Sequence, residues 1–373
     1  MLFAKHNFTQ GELKLFDASR GLLAILVVIA HINQTIWSAV YGIGMASTIF
    51  GLIANISVVI FFFLSGVLIT YSGFNMMSED GFNYKKFFIN RVTRIYPTLI
   101  ASLFIVFVLM KLFPFLNDHT YIIKKLPTDL YTVRDVYFVS PSQIFKTITL
   151  LVTNIIQLNG PMWSLFIEWW LYMSAMFIFI SIKKKNKFLR YVFLIISIVP
   201  LVYIFKHFSY SSIFYIAIWF LGFLYTAVIA NYERIKQYLL IVAGIIVSIL
   251  LFMKGIVVFN AAVANPFYYG FIQLFFAILY LNYFLKLNFL KFFTFFSPFS
   301  YTLYLIHFPI MLFIHSILRV YTGNNLLYLS IETIVDFTVV ILISYFLAKI
   351  TEDKKLFRRF FANRLNIEAV NVK

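Results

Sequence analysis

The segment FDASRGLLAILVVIAHINQTIW, residues 16–37, is apolar enough to cross a bilayer, yet it carries Asp17, Arg20 and His31. An imidazole can accept a proton near neutral pH. Ionisable side chains within membrane spans are costly, and by default they raise a functional hypothesis. Eleven residues make about three helical turns, so Arg20 and His31 share a helix face, about 16 Å apart along the axis. Gln34 and Thr35 continue that face. The plain structural alternative is a snorkelling arginine and a histidine held by a hydrogen bond.

Three further segments hold polar groups of the same kind. In NRVTRIYP, Arg91 and Arg94 stand three residues apart at the expected inner entrance of a span, on one side of a helix start. Helix N-termini favour anions, and guanidiniums bind phosphate in bidentate fashion. The alternative is an ordinary basic flank. In GPMWSLFIEWWLYM, Trp163 reads as an interfacial anchor and Glu168 as a carboxylate about 7 Å deeper. Such a carboxylate needs a proton or a partner, for which His31 or an arginine would serve. In SPFSYTLYLIHFPIMLFIH, Tyr301, Tyr304 and His307 recur every third residue as one polar edge, and His315 reads as a structural or interfacial residue. Glu332 and Asp336, one turn apart, are open to three readings: contact with a polar substrate, pairing with Arg319, or solvation of a helix end.

These residues need a membrane bundle to position them. Of 373 residues, 62% are hydrophobic and 12% charged, about half the charge of a soluble domain. Apolar runs separated by short basic segments predict an all-α polytopic bundle, one domain over 1–373. Ten spans are expected near 16–37, 48–71, 95–116, 161–182, 188–206, 211–230, 237–256, 263–285, 297–319 and 326–348. The stretch 143–158 is short for a span and reads as an interfacial or re-entrant helix. The first run keeps polar residues and lacks a small-residue cleavage site, so it is expected to be retained rather than removed as a signal peptide. With both termini in the cytoplasm, every inner segment is basic, as the positive-inside rule expects. The net charge of +17 is therefore a topology signal. It implies contact with anionic membrane lipid rather than nucleic acid. The absence of cysteine excludes disulfides, thiolate metal sites and a cysteine nucleophile.

In order along the chain, these segments resemble the acyltransferase family 3 membrane proteins. FDASRGLLAILVVIAH is similar to that family's first helix, with an Arg and a His eleven residues on. VVIFFFLSGVLIT is similar to its second helix, including Ser65 and Gly66. FFINRVTRIYP resembles its cytoplasmic two-arginine motif, GPMWSLFIEWWLY its Trp-Ser-Leu…Glu segment, and SYTLYLIHFPI its late Tyr/His segment. AKITEDK, with Glu352, resembles its closing acidic motif without the proline. Val59 and Trp169 stand where acidic or polar residues are common in the family. No fused hydrolase-like domain is expected after the last span.

The resemblance implies transfer of an acetyl group from cytoplasmic acetyl-CoA to a sugar hydroxyl. The acceptor would be a bacterial surface polysaccharide, such as O-antigen or capsule, or its lipid-linked precursor, at the inner membrane. It implies no metal. His31 would be the base, with an acetyl-histidine route also open. Glu168 and His307 would orient it or aid the acceptor, and Arg20, Arg91 and Arg94 would hold the donor's phosphates. Asp17, Ser65, Trp163 and Tyr304 are expected to be structural or orienting. A serine nucleophile is disfavoured, because Ser65 and Ser164 lack a sequence-local triad. The competing reading from the residues alone is a proton-coupled exporter or flippase of a polar or lipid-linked sugar.

Overall fold

Four of the described helices begin at a side-chain cap, from Thr9, Ser140, Asn186 and Asn325. The computed structural model describes residues 7–42, 44–116, 140–151, 157–208, 212–227, 275, 279, 288–353 and 357. Helix α1, Gln10–Ile32, opens on a reciprocal capping box: Thr9 N donates to Glu12 (2.8 Å) and Glu12 N donates to Thr9 Oγ1 (3.2 Å). It runs into a π-helical turn, Asn33–Trp37, and one further α turn, Ser38–Tyr41. Gly42, at φ 79°, then breaks the chain.

Next come α2, Met45–Phe74, and α3, Tyr84–Leu116. The short α4, Pro141–Ile148, has a capping box from Ser140 and Gln143. A 3₁₀ segment, Gln157–Met162, leads into α5, Trp163–Lys183. Asn186 caps α6, Lys187–Ile196; α7, Val199–His207, and α8, Ser212–Ala227, follow. Pro200 lies in the first turn of α7, where its missing N–H is tolerated. The 3₁₀ turns Asn288–Phe295 and Ser297–Phe299 precede α9, Ser300–Thr322, and α10, Leu326–Thr351, whose N-cap is Asn325.

The fold is a helical membrane bundle. No strand occurs among the described residues, and seven of their helical stretches are long and apolar enough to span a bilayer. The expected span 237–256, all but residues 275 and 279 of the expected span 263–285, and residues 117–139 lie outside the described residues. The described part of 143–158 is mainly the end of α4. That helix has eight residues, about 12 Å long, far short of a bilayer's core. Its Ile144 packs on Val106, Phe308 and Leu312.

The chain forms two compact units. One comprises Met1–Leu23, Leu52–Tyr84 and Ser164–Ser297; the other comprises Ala24–Gly51, Lys85–Trp163 and Pro298–Lys373. In the first, α2 and α8 cross backbone to backbone at two glycines. A Cβ on Gly66 would overlap the Trp219 carbonyl, and a Cβ on Gly222 would overlap that of Phe63. Small residues at such a crossing give close van der Waals packing, which holds helices together where lipid replaces water. Ser174 and Ser181 tie α5 to its successor by donating to the carbonyls of Ser197 and Arg190, each at 2.8 Å.

In the second unit, α9 and α10 run antiparallel. At one end the Glu352 carboxylate accepts from Thr302 N (2.8 Å) and Thr302 Oγ1 (2.7 Å), capping the start of α9. That contact gives the closing acidic motif a structural task. Pro309 lies inside α9 and has no N–H to offer the Leu305 carbonyl four residues earlier. A carbonyl left bare in a membrane helix is costly. Here it accepts from Ser102 Oγ (3.0 Å) and Asn159 Nδ2 (2.7 Å), which are themselves hydrogen-bonded to each other. The proline thus fastens α9 to α3 and to the turn before α5.

Candidate active site

His31 and His307, 276 positions apart in sequence, meet in the second unit: His31 Nδ1 lies 2.8 Å from His307 Nε2. The rings stack with centroids 5.0 Å apart and planes 23° apart. Phe308 packs edge-on to His31, with ring centroids 5.2 Å apart. His307 is fully buried, whereas His31 is half-buried. Tyr304 donates to the Pro161 carbonyl (3.2 Å), which holds this stretch of α9 to the turn before α5.

The hydrogen bonds assign the tautomers. His307 Nδ1 lies 3.0 Å from the Leu303 carbonyl, which can only accept. Nδ1 therefore carries the hydrogen, and in the neutral ring Nε2 is an acceptor. The hydrogen between the two rings then belongs to His31 Nδ1. In neutral His31 this leaves the lone pair on Nε2. The arrangement has the logic of a base oriented by a partner on its far nitrogen, with an imidazole in place of the usual carboxylate.

The π-helical turn starts two residues after His31, and Thr35 Oγ1 donates to the His31 carbonyl (2.8 Å). Such wide turns are common at functional sites. Trp37 Nε1 donates to Thr333 Oγ1 (2.9 Å), fixing the end of this helix to α10.

Arg91 and Arg94 belong to the same unit. The guanidinium of Arg91 lies 5.3 Å from the Phe87 ring centroid, and that of Arg94 lies 5.8 Å from that of Tyr301. They do not mark a helix start, as the sequence reading expects. Helix α3 begins at Tyr84, because nothing between Asn83 and Arg91 breaks a helix. Arg91 is seven residues, about 10 Å, inside, beyond reach of the unpaired N–H groups of the first turn.

In the first unit, Arg20 pairs with Asp17 on the adjacent turn of α1, with side chains 22% and 48% exposed. At that exposure the pair adds little stability. Glu168 has partners that the sequence reading does not name. Its Oε1 accepts from Ser65 Oγ (2.9 Å) and from the Tyr172 hydroxyl, and Ser65 Oγ accepts from Trp219 Nε1 (3.3 Å). Tyr172 lies four residues after Glu168 and was within reach of helical spacing. Trp219 and Asn159 carry no local signal. Trp163, half-buried, is the first residue of α5.

His315 and Glu332 pair at 2.5 Å in the second unit, and Asp336 is also fully buried. Solvation of a helix end, one of the three sequence readings, is therefore incorrect. α10 faces α9 through these positions, so its acidic turn lies inside the protein. The Arg319 side chain is outside the described residues.

A family model described as an acyltransferase domain, that of acyltransferase family 3, matches residues 13–351. No curated protein and no solved structure matches the chain.

Proposed function

Because the chain belongs to acyltransferase family 3 and is a multi-pass membrane acyltransferase, we propose that it moves an acetyl group from cytoplasmic acetyl-CoA to a sugar hydroxyl. The acceptor in this reading is a bacterial surface polysaccharide or its lipid-linked precursor, and the setting is the inner membrane. The observation that carries the chemistry is the His31–His307 bond with its tautomer set by Leu303.

In the proposed step, His31 Nε2 takes the proton of the acceptor hydroxyl as its oxygen attacks the thioester carbonyl carbon. The C–O bond forms, the C–S bond breaks, and the thiolate takes the proton back from His31. Each turnover thus ends with both rings as they began. While the proton is on His31, its Nδ1–H still donates to His307 Nε2, so the ring keeps its orientation as its charge changes. Arg91 and Arg94 are the proposed contacts for the donor's phosphates, supported by their spacing and charge. Arg20 is a proposed further contact, with Asp17 holding its side chain.

The test supplies acetyl-labelled acetyl-CoA to membranes containing equal amounts of wild type or His31→Ala, with surface polysaccharide as acceptor. Label should enter the polysaccharide with wild type and be lost with His31→Ala. Equal labelling by both proteins removes His31 from the chemistry, and no labelling by folded wild type removes the donor–acceptor assignment.

A further inference from the structure

Glu168 is held by one of its two carboxylate oxygens. Ser65 and Tyr172 both donate to Oε1, and Trp219 in turn donates to Ser65. Oε2 accepts no hydrogen bond from any described residue and is not a buried atom. A carboxylate has about four acceptor positions. Two are filled here by hydroxyls on one oxygen, and the other oxygen is left open.

The scaffold around the group is closely packed. The two glycine contacts lock α2 against α8, which places Ser65, next to Gly66, beside Trp219. Trp219 is completely buried, and Tyr172 is 1% exposed. Tyr172 and Glu168 occupy adjacent turns of α5. The side chains that hold Oε1 therefore have little freedom to turn towards Oε2.

We propose that Glu168 Oε2 binds a hydroxyl group of substrate, and that this hydroxyl comes from the acceptor saccharide. The proposal rests on the acceptor being a saccharide, as argued above. Among the described residues the carboxylate's hydrogen-bond donors include two hydroxyls and no cationic group, so the site suits a neutral O–H donor. A saccharide presents several such groups. Ser65, Tyr172 and Trp219 are positioning residues: they fix which way the open oxygen points. A site built to hydrogen-bond a hydroxyl discriminates strongly against ligands lacking it, because the unmet acceptor is then desolvated for nothing. This subsite is therefore a determinant of acceptor choice.

The donor's pantoyl arm also carries a hydroxyl, and steady-state kinetics separates the two sources. The assay uses detergent-solubilised full-length protein, acetyl-CoA, and the producing organism's surface polysaccharide stripped of its esters by mild alkali. For Glu168→Gln, KM for the polysaccharide should rise about tenfold or more, a loss of about 1.4 kcal/mol, with KM for acetyl-CoA unchanged. Tyr172→Phe and Ser65→Ala should each raise the polysaccharide KM about threefold, and Ser65→Thr, which keeps the hydroxyl, should restore it. Tyr172→Phe removes a single oxygen atom and decides the matter if Glu168→Gln fails to accumulate. A rise in KM for acetyl-CoA with the polysaccharide KM unchanged would assign the subsite to the donor and overturn the proposal. Unchanged values for both substrates would reduce the cluster to packing and overturn it too. If wild type transfers no label to polysaccharide, the acceptor assignment itself is at fault, and that result is distinct from either.

Discussion

Helix α9 carries two buried histidines eight residues apart, and they are paired differently. His307 meets another imidazole, that of His31, at 2.8 Å. His315 meets a carboxylate, that of Glu332, at 2.5 Å. In the first pair one member, His31, is half-buried. In the second pair the side chains are 6% and 0% exposed. In the proposed mechanism the first pair holds a reactive ring in position, whereas the second joins α9 to α10. Burial alone does not mark a catalytic histidine. What distinguishes the two buried rings is the partner, an imidazole for His307 and a carboxylate for His315.

The largest expected effect that separates the pairs is on rate. His31→Ala should lower acetyl transfer by about 10²–10⁴-fold, the usual contribution of a general base, with the purified protein's thermal midpoint nearly unchanged. His307→Ala should cost about 10–100-fold, the scale seen when a group orienting a functional histidine is lost. His307→Gln, whose side-chain carbonyl can accept from His31 Nδ1, should recover part of that loss. If His307→Ala is fully active, the two pairs are alike and the orientation argument fails.

The second pair should respond in the opposite sense. Glu332→Ala leaves His315 buried without its partner and should destabilise the protein by about 3 kcal/mol. Thermal unfolding in detergent would show this, and the turnover of the remaining folded protein should stay within about threefold of wild type. A large loss of turnover with unchanged stability would move this pair into the chemistry.

A smaller effect concerns Asp336, one turn from Glu332. Both of its carboxylate oxygens are buried without a hydrogen-bond partner among the described residues. Burying an unmet polar group is unfavourable, so Asp336→Leu should leave stability unchanged or raise it. A marked drop in the unfolding midpoint would show that the carboxylate has an essential partner. The smallest change is Ser102→Ala, which removes one of the two donors to the Leu305 carbonyl and should cost about 1 kcal/mol.

Hydropathy and basic flanks made the bundle legible in the sequence, and spacing on α1 and α9 picked out His31 and His307 separately. Their bond was not legible, because it joins residues far apart in the chain. Nor was the role of the Leu303 carbonyl, since a backbone oxygen has no sequence signature. The start of α3 is misplaced for a different reason: the apolar pattern begins near residue 95, whereas the helix starts about three turns earlier, at Tyr84. The sequence does not choose among the three readings of Glu332 and Asp336, because periodicity gives their helix no inner face. Glu168 was recognisable as a group in need of a partner. Ser65 was known only as part of a helix motif, and its bond to Glu168 required the glycine-packed crossing of α2 and α8.

In the proposed mechanism His307 acts through His31. A double-mutant cycle examines that coupling, with acetyl-transfer rates measured for wild type, His31→Ala, His307→Ala and the double variant at matched protein levels. Groups that act as one unit are strongly non-additive. The double variant should therefore be no slower than His31→Ala alone. Losses that multiply across the two sites would show that the histidines act independently and would contradict the account.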